Sequence, residues 1–213
     1  MSVRVLLADD HTAVRTGLRM ILTAEPDLDV VGEAADGASA LTLTRALRPD
    51  VVVMDLRMPG TDGVTATTHI VREHLADVLV LTTFDLDDLV LAALRAGAAG
   101  FLLKTADGPT LTDAVRRVAA GGGVLAPEVT RTLLDAYSAT PQPHPTPVDL
   151  STLTDRELDV LRCLGRGQSN ADLAAHLHIS PLTAKTHVSR LLTKLALTSR
   201  VQAALLARDA GLT

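Results

Sequence analysis

The run VVVMDLRMPG, residues 51–60, decides how this chain folds. Val51, Val52, Val53 and Met54 are continuously apolar, and the run is short enough for a strand buried on both faces. It stops at a carboxylate, Asp55, and Met58-Pro59-Gly60 then signals a turn. Parallel sheets hold their chemistry just beyond the carboxyl ends of their strands. An Asp in that place can also simply cap a loop, so its meaning depends on what the other strand ends carry.

Working outward, Val3–Ala8 reads as a first strand, ended by the neighbours Asp9 and Asp10. Two adjacent carboxylates repel unless a cation or a proton sits between them. Val14, Leu18, Ile21 and Leu22 then fall at helical spacing, and Pro26 closes that helix region. Leu28–Ala34 is a second strand, and Asp36 is a suitable N-cap for the helix that carries Ala40, Leu41, Leu43 and Leu47. Beyond Asp55 the pattern predicts a helix over 63–75, a strand at Val78–Thr83 and a helix capped by Asp85 with Asp88 as its partner. A fifth strand, Ala99–Leu103, ends at Lys104, and a helix over 109–120 follows, opened by Pro109 and closed by three glycines. Gly108 stands in front of that helix as a weak cap. Five strands alternating with five helices predict an α/β domain with a doubly wound, five-stranded parallel sheet. Right-handed crossovers put all the strand ends on one edge.

Residues 128–138 suit a short helix, and Pro141, Pro143, Pro145 and Pro147 then alternate. That spacing excludes helix and central strand and predicts an extended linker. The rest is helical. Thr154 with Glu157 opens one helix, Ser169 a second, Ser180-Pro181 a third, and residues 199–210 form a fourth. The second and third, joined at His178-Ile179-Ser180, have the layout of a helix-turn-helix. The organisation is therefore a first domain over 1–125, a linker over 126–149 and an all-α helix-turn-helix domain over 150–213.

Composition narrows the class. Of 213 residues 47% are hydrophobic but only 1% aromatic, so Leu, Val, Ile and Ala must build the core. No apolar run approaches the ~20 residues that span a bilayer, and the N-terminus has no cleavable-signal pattern. The single cysteine, Cys163, rules out an intramolecular disulfide framework and suits a reducing compartment. A soluble, cytoplasmic protein is expected. Residues 1–138 hold 12 Lys/Arg against 19 Asp/Glu, and residues 139–213 hold 8 against 6, which hints at different partners for the two halves.

The strand ends of the first domain together offer Asp9, Asp10, Asp55, Thr82 and Lys104. Three acids on one edge call for a hard cation, and oxygen ligands select Mg²⁺, Mn²⁺ or Ca²⁺. A carboxylate beside such a cation is a competent nucleophile toward a phosphoryl group, whose transfer rests on positioning and charge neutralisation. Lys104 could pair with one phosphoryl oxygen and the Thr82 hydroxyl could donate to another.

The pieces ADD (8–10), MDLRMPG (54–60), LTTFD (81–85) and GFLLKT (100–105) resemble the receiver domain of two-component response regulators. The C-terminal half resembles the LuxR-type helix-turn-helix, so the chain as a whole resembles the NarL/FixJ family. The resemblance implies that Asp55 takes phosphate from a sensor histidine kinase. It implies Asp9, Asp10, Asp55 and the Arg57 carbonyl as the protein's share of a Mg²⁺ site, with Asp9 acting through a metal-bound water. Thr82 and Phe101 would form the switch pair, the ring turning inward as the hydroxyl moves toward the phosphoryl group. No separate enzymatic activity is implied beyond the receiver's own phosphotransfer and slow autodephosphorylation. Thr61 stands where the family often has Met, and Phe101 where Tyr is commoner.

In the second domain Val188, Leu191, Leu192 and Leu195 form one apolar face of the third helix, leaving Lys185, Thr186, Ser189, Arg190 and Lys194 outside. That basic, polar face has the size and charge for the major groove of promoter DNA. The resemblance puts Lys185, Thr186 and Ser189 nearest the bases and Thr183, Arg190 and Lys194 nearer phosphate. The last helix carries an apolar stripe of Val201, Ala204, Leu205 and Ala207 suited to pairing two copies, so phosphorylation is expected to favour a homodimer. Three other functions remain to be weighed. A haloacid-dehalogenase-like enzyme also uses Asp and Mg²⁺, but it would want Asp where this chain has Arg57. A ligand-sensing quorum regulator would have no use for the acid cluster or Lys104. A regulator that ignores phosphorylation is separable only by experiment.

Overall fold

In the computed structural model of the protein, which describes residues 2–83, 87–125, 150–197 and 199–212, the five apolar runs become strands of one parallel sheet. These are β1 (Val3–Ala8), β2 (Leu28–Ala34), β3 (Val51–Asp55), β4 (Asp77–Thr82) and β5 (Gly100–Leu103). A sixth strand, β6 (Val124–Leu125), extends the sheet past β5 to give the order β2-β1-β3-β4-β5-β6. Its two residues are too few to show a periodicity, so the sequence predicts five strands where the sheet has six. The central β3 is buried at every residue, as its unbroken apolar run requires, whereas the interior of β2, an edge strand, is half-buried.

Between the strands lie α1 (Thr12–Thr23), α2 (Gly37–Leu47), α3 (Gly63–Arg72), α4 (Asp87–Ala96) and α5 (Gly108–Ala119). Asp36, Asp62 and Asp107 cap α2, α3 and α5 by accepting from the backbone N–H three residues on. Gly108 is thus the first residue of α5 and not its cap, and Asp107, one position earlier, does the capping that sequence reading assigned to a weak glycine. Helix α3 ends at Arg72, three residues before the expected 75, and His74 turns into the left-handed region with φ 51°. The expected cap at Asp85 with the Asp88 side chain, the helix over 128–138 and the proline-rich linker lie outside the described residues.

The C-terminal domain begins with a 3₁₀ turn, Leu150–Thr152, followed by α6 (Asp155–Gly165), α7 (Asn170–Leu177), α8 (Pro181–Lys194) and α9 (Arg200–Asp209). Both α6 and α7 open with capping boxes, Thr154 with Glu157 and Ser169 with Asp172. His178, with φ 54°, closes α7, and Ser180 with Pro181 starts α8 two residues later. Leu161, Leu164, Leu173 and Leu191 fill the core between these helices, and Cys163 is buried among them. Burial raises the Cys163 thiol pKa, which suits a core side chain and not a reactive one.

The two domains touch. Val201 and Leu205 of α9 join the apolar cluster of the first domain, and Gln202 Nε2 donates to the carbonyls of Leu94 (3.4 Å) and Arg95 (3.5 Å) at the end of α4. No helix among the described residues is long and apolar enough to cross a membrane.

Candidate functional site

Strand register assembles the acidic pocket. Ala8 pairs with Met54, so Asp9 and Asp55 leave the sheet side by side. Asp55 in turn pairs with Leu81, and Thr82 pairs with Leu103, which brings Thr82 and Lys104 to the same edge. The Lys104 N–H donates to the Thr82 carbonyl at 2.8 Å, extending the ladder to the pocket rim. Gly63 keeps Asp55 in place from behind, because a Cβ there would stand 2.0 Å from the Asp55 carbonyl oxygen. No other residue type allows α3 to start so close to β3.

Lys104 Nζ donates to Asp9 Oδ2 and to Asp55 Oδ2, each at 2.7 Å. Both acids are almost fully buried, and the lysine side chain is 18% exposed. Burial raises the Asp55 carboxyl pKa, although the hydrogen bond and charge of Lys104 pull the other way. For Lys104 burial opposes the charged form, yet the hydrogen bonds to Asp55 and Asp9 outweigh it and its pKa rises. The pocket is therefore a salt-bridged triad held at the boundary of water.

The donor set suits a divalent cation. One ligand atom from each of Asp9, Asp10, His11 and Asp55 lies within 4.8 Å of the others. Asp10 Oδ1 is buried without a hydrogen bond. His11 Nδ1 is 2.6 Å from it, a contact that becomes an ion pair only when the imidazole is protonated. A carboxylate oxygen that accepts no hydrogen bond, beside two further carboxylates, is part of a hard, anionic ligand set of the kind that divalent metals take up. The Arg57 N–H lies 3.4 Å from Asp55 Oδ1, and its side chain is exposed. The Thr82 hydroxyl, buried, donates to the Thr83 carbonyl at 3.2 Å, and the Phe101 ring is fully buried.

Two residues at the start of α1 hold Asp9, and one of them, Arg15, escaped sequence reasoning. Arg15 Nη1 donates to the Asp9 carbonyl at 2.7 Å, and the His11 N–H donates to Asp9 Oδ1 at 2.8 Å, so α1 orients Asp9 from both sides. His11 is the N-cap of α1 as well as a pocket neighbour. The signal for Arg15 was its place one helical turn from His11, which means little until the strand end is known.

In the second domain α8 buries Ala184, Val188 and Leu191 and exposes Thr183, Lys185, Thr186, Ser189, Arg190 and Lys194. Lys194 Nζ is engaged, 2.6 Å from Glu157 Oε2 of the capping box, and would have to exchange that partner for phosphate. That hydrogen bond is the main reason the Glu157 carboxyl is lowered to about 2. Lys185 feels the charge of Asp77, a first-domain carboxylate whose pKa burial raises. Leu182, also on this face, is 75% exposed and was not singled out by its sequence.

Comparison with known proteins agrees with both halves. The response regulator receiver domain family matches residues 5–116, and the luxR family of bacterial regulatory proteins matches residues 151–207. The transcriptional regulatory protein LiaR of Bacillus subtilis is 40% identical over 210 residues, covering 96% of each chain. The response regulator protein VraR of Staphylococcus aureus is 38% identical over 208 residues, covering 97% of each. Among solved structures, the response regulator ChrA of a heme-sensing two-component system is 42% identical, with a TM-score of 0.57 over 100% of this chain and 99% of that one.

Proposed function

The chain belongs to the response regulators that join a receiver domain to a LuxR-type DNA-binding domain, and on that premise we propose that Mg²⁺-dependent phosphorylation of Asp55 by a histidine kinase controls its binding to promoter DNA. The observation that carries this reading is the triad in which Lys104 bridges Asp9 and Asp55 beside the Asp10 carboxylate. In the reaction an Asp55 carboxylate oxygen forms the new bond to phosphorus while the phosphohistidine P–N bond breaks and the imidazole leaves. Asp10, Asp55 and the Arg57 carbonyl would hold Mg²⁺, with Asp9 reaching it through water. The bound cation would supply charge neutralisation on the phosphoryl oxygens. Lys104 releases Asp55 to pair with one phosphoryl oxygen, and the Thr82 hydroxyl leaves the Thr83 carbonyl to donate to another. These are the groups of a phospho-acceptor, and beyond its own phosphotransfer and slow dephosphorylation the chain needs no enzymatic activity.

Phosphorylation would act on assembly. Val201 and Leu205, half of the stripe expected to pair two copies, are packed against the receiver. A homodimer that uses α9 therefore requires this contact to open. The receiver surface that meets α9 lies at the opposite end of β4 from Thr82, roughly 17 Å away at strand rise. A kinase and a promoter as partners support a cytoplasmic location.

The test is intact mass and light scattering with Mg²⁺ and a small phosphodonor. One phosphoryl group should be gained, Asp55→Asn should gain none, and the phosphorylated chain should dimerise. Phosphorylation that changes neither mass in solution nor DNA affinity would favour the regulator that ignores phosphate.

A further inference from the structure

Helix α8 carries one side chain that its packing does not explain. Leu182 is 75% exposed and, with Met20, is one of two large apolar side chains so exposed among the described residues. It belongs to neither apolar cluster. At about 100° per residue it lies between Lys185 and Thr186 on the helix surface and within about 20° of Ser189. Its apolar tip thus sits in the middle of the face expected to meet DNA. Helix α8 contains Lys185, Arg190 and Lys194 and no acidic residue, so the face that surrounds Leu182 complements a polyanion.

Neighbouring groups leave a specific gap. The Thr186 hydroxyl donates to the Leu182 carbonyl at 3.0 Å, so it is committed to its own helix. The Ser180 and Thr183 hydroxyls bond one another at 2.8 Å in the N-cap. Lys185 can seek acceptors on a base edge, but a lysine cannot recognise the apolar feature of the major groove, which is the thymine 5-methyl group. The first turns of a recognition helix are those that meet base edges, and Leu182 is its second residue.

We propose that Leu182 is a specificity-determining residue that reads the 5-methyl group of a thymine in each half-site, beside the base approached by Lys185. The assignment rests on the DNA-binding reading above. Its gain comes from removing a methyl group and the leucine tip from water together, so it adds sequence discrimination without a salt-dependent term.

The test uses the full chain with Mg²⁺ and a small phosphodonor. Binding sites are first selected from a random duplex library, and each thymine of the selected site is then replaced by deoxyuridine, which lacks only the methyl group. Replacing the contacted thymine in a single half-site should weaken the unsubstituted chain about fourfold, the worth of one buried methyl. Leu182→Ala should bind the thymine and deoxyuridine duplexes alike, while Leu182→Met, which keeps an apolar tip, should retain the preference. A selected site indifferent to every deoxyuridine replacement, or an undiminished preference in Leu182→Ala, would overturn the assignment and leave DNA binding intact. Selection of no duplex at all would defeat the DNA-binding reading and this assignment with it.

Discussion

Replacing Lys104 by Met tests whether the pocket is held by charge. The methionine keeps most of the apolar stem and removes the ammonium, leaving Asp9 and Asp55 facing each other almost without solvent. Two 2.7 Å bonds to one nitrogen hold their oxygens within about 5.4 Å, where two full charges repel by about 3 kcal/mol at an effective dielectric constant of about 20. Removing one partner of a fully buried pair costs about 3–5 kcal/mol, and solvent at the pocket rim reduces this to about 2–3 kcal/mol at pH 7. The pH dependence follows from Asp55. Its folded pKa already lies above the ordinary value of 3.8, so the folded state binds more protons and stability is lost as pH rises from that value through the folded pKa. Without Lys104 the upward shift grows, because the hydrogen bond and charge that opposed it are gone. The loss in Lys104→Met should therefore be largest at neutral pH and shrink on acidification, while Mg²⁺ should restore part of it at pH 7. Urea unfolding of the receiver transition at pH 7 and pH 4.5, with and without Mg²⁺, measures this. A variant as stable as the parent at pH 7, or one whose deficit grows in acid, would refute the electrostatic account.

Gly63→Ala should cost about 3 kcal/mol, because the new Cβ meets the Asp55 backbone 2.0 Å away and no flexible side chain can give way. The same variant should gain phosphate more slowly, and thermal unfolding beside intact mass would report both. Lys185→Ala should cost about 1–3 kcal/mol on a target duplex and shrink the ratio of specific to non-specific affinity. Lys194→Ala should leave that ratio nearly intact and let the Glu157 carboxyl rise from about 2 toward 4.5, followed by NMR titration. In the parent chain this depressed pKa adds stability that is full above pH 4.5 and lost as pH falls through about 2, so the variant's deficit should be largest above pH 4.5 and vanish toward pH 2. Val201→Asp should detach α9 from the receiver, and small-angle scattering should show a larger radius of gyration before any phosphorylation. An unchanged radius would show that the domain contact does not depend on that side chain.

Much of this protein was legible in the order of its residues. Apolar runs of four to seven residues that end in Asp9, Asp55, Thr82 and Lys104 determine a parallel sheet with chemistry at one edge, because only a doubly covered sheet buries such runs. Asp36, Thr154, Ser169 and Ser180 each open the helix expected of them, since capping is a local hydrogen bond made within four residues. Long-range contacts were not legible. The sixth strand is two residues of edge pairing supplied by β5, and the cap at Asp107 was displaced by one position because Gly108 and Pro109 drew the boundary forward. That Lys104 holds both Asp9 and Asp55 depends on register between strands whose paired residues lie from 21 to 46 positions apart, and periodicity does not encode register. The fate of the α9 stripe is the clearest case. An amphipathic face states that it must be covered but not by what, and here the receiver covers Val201 and Leu205 where the stripe alone suggested a second copy.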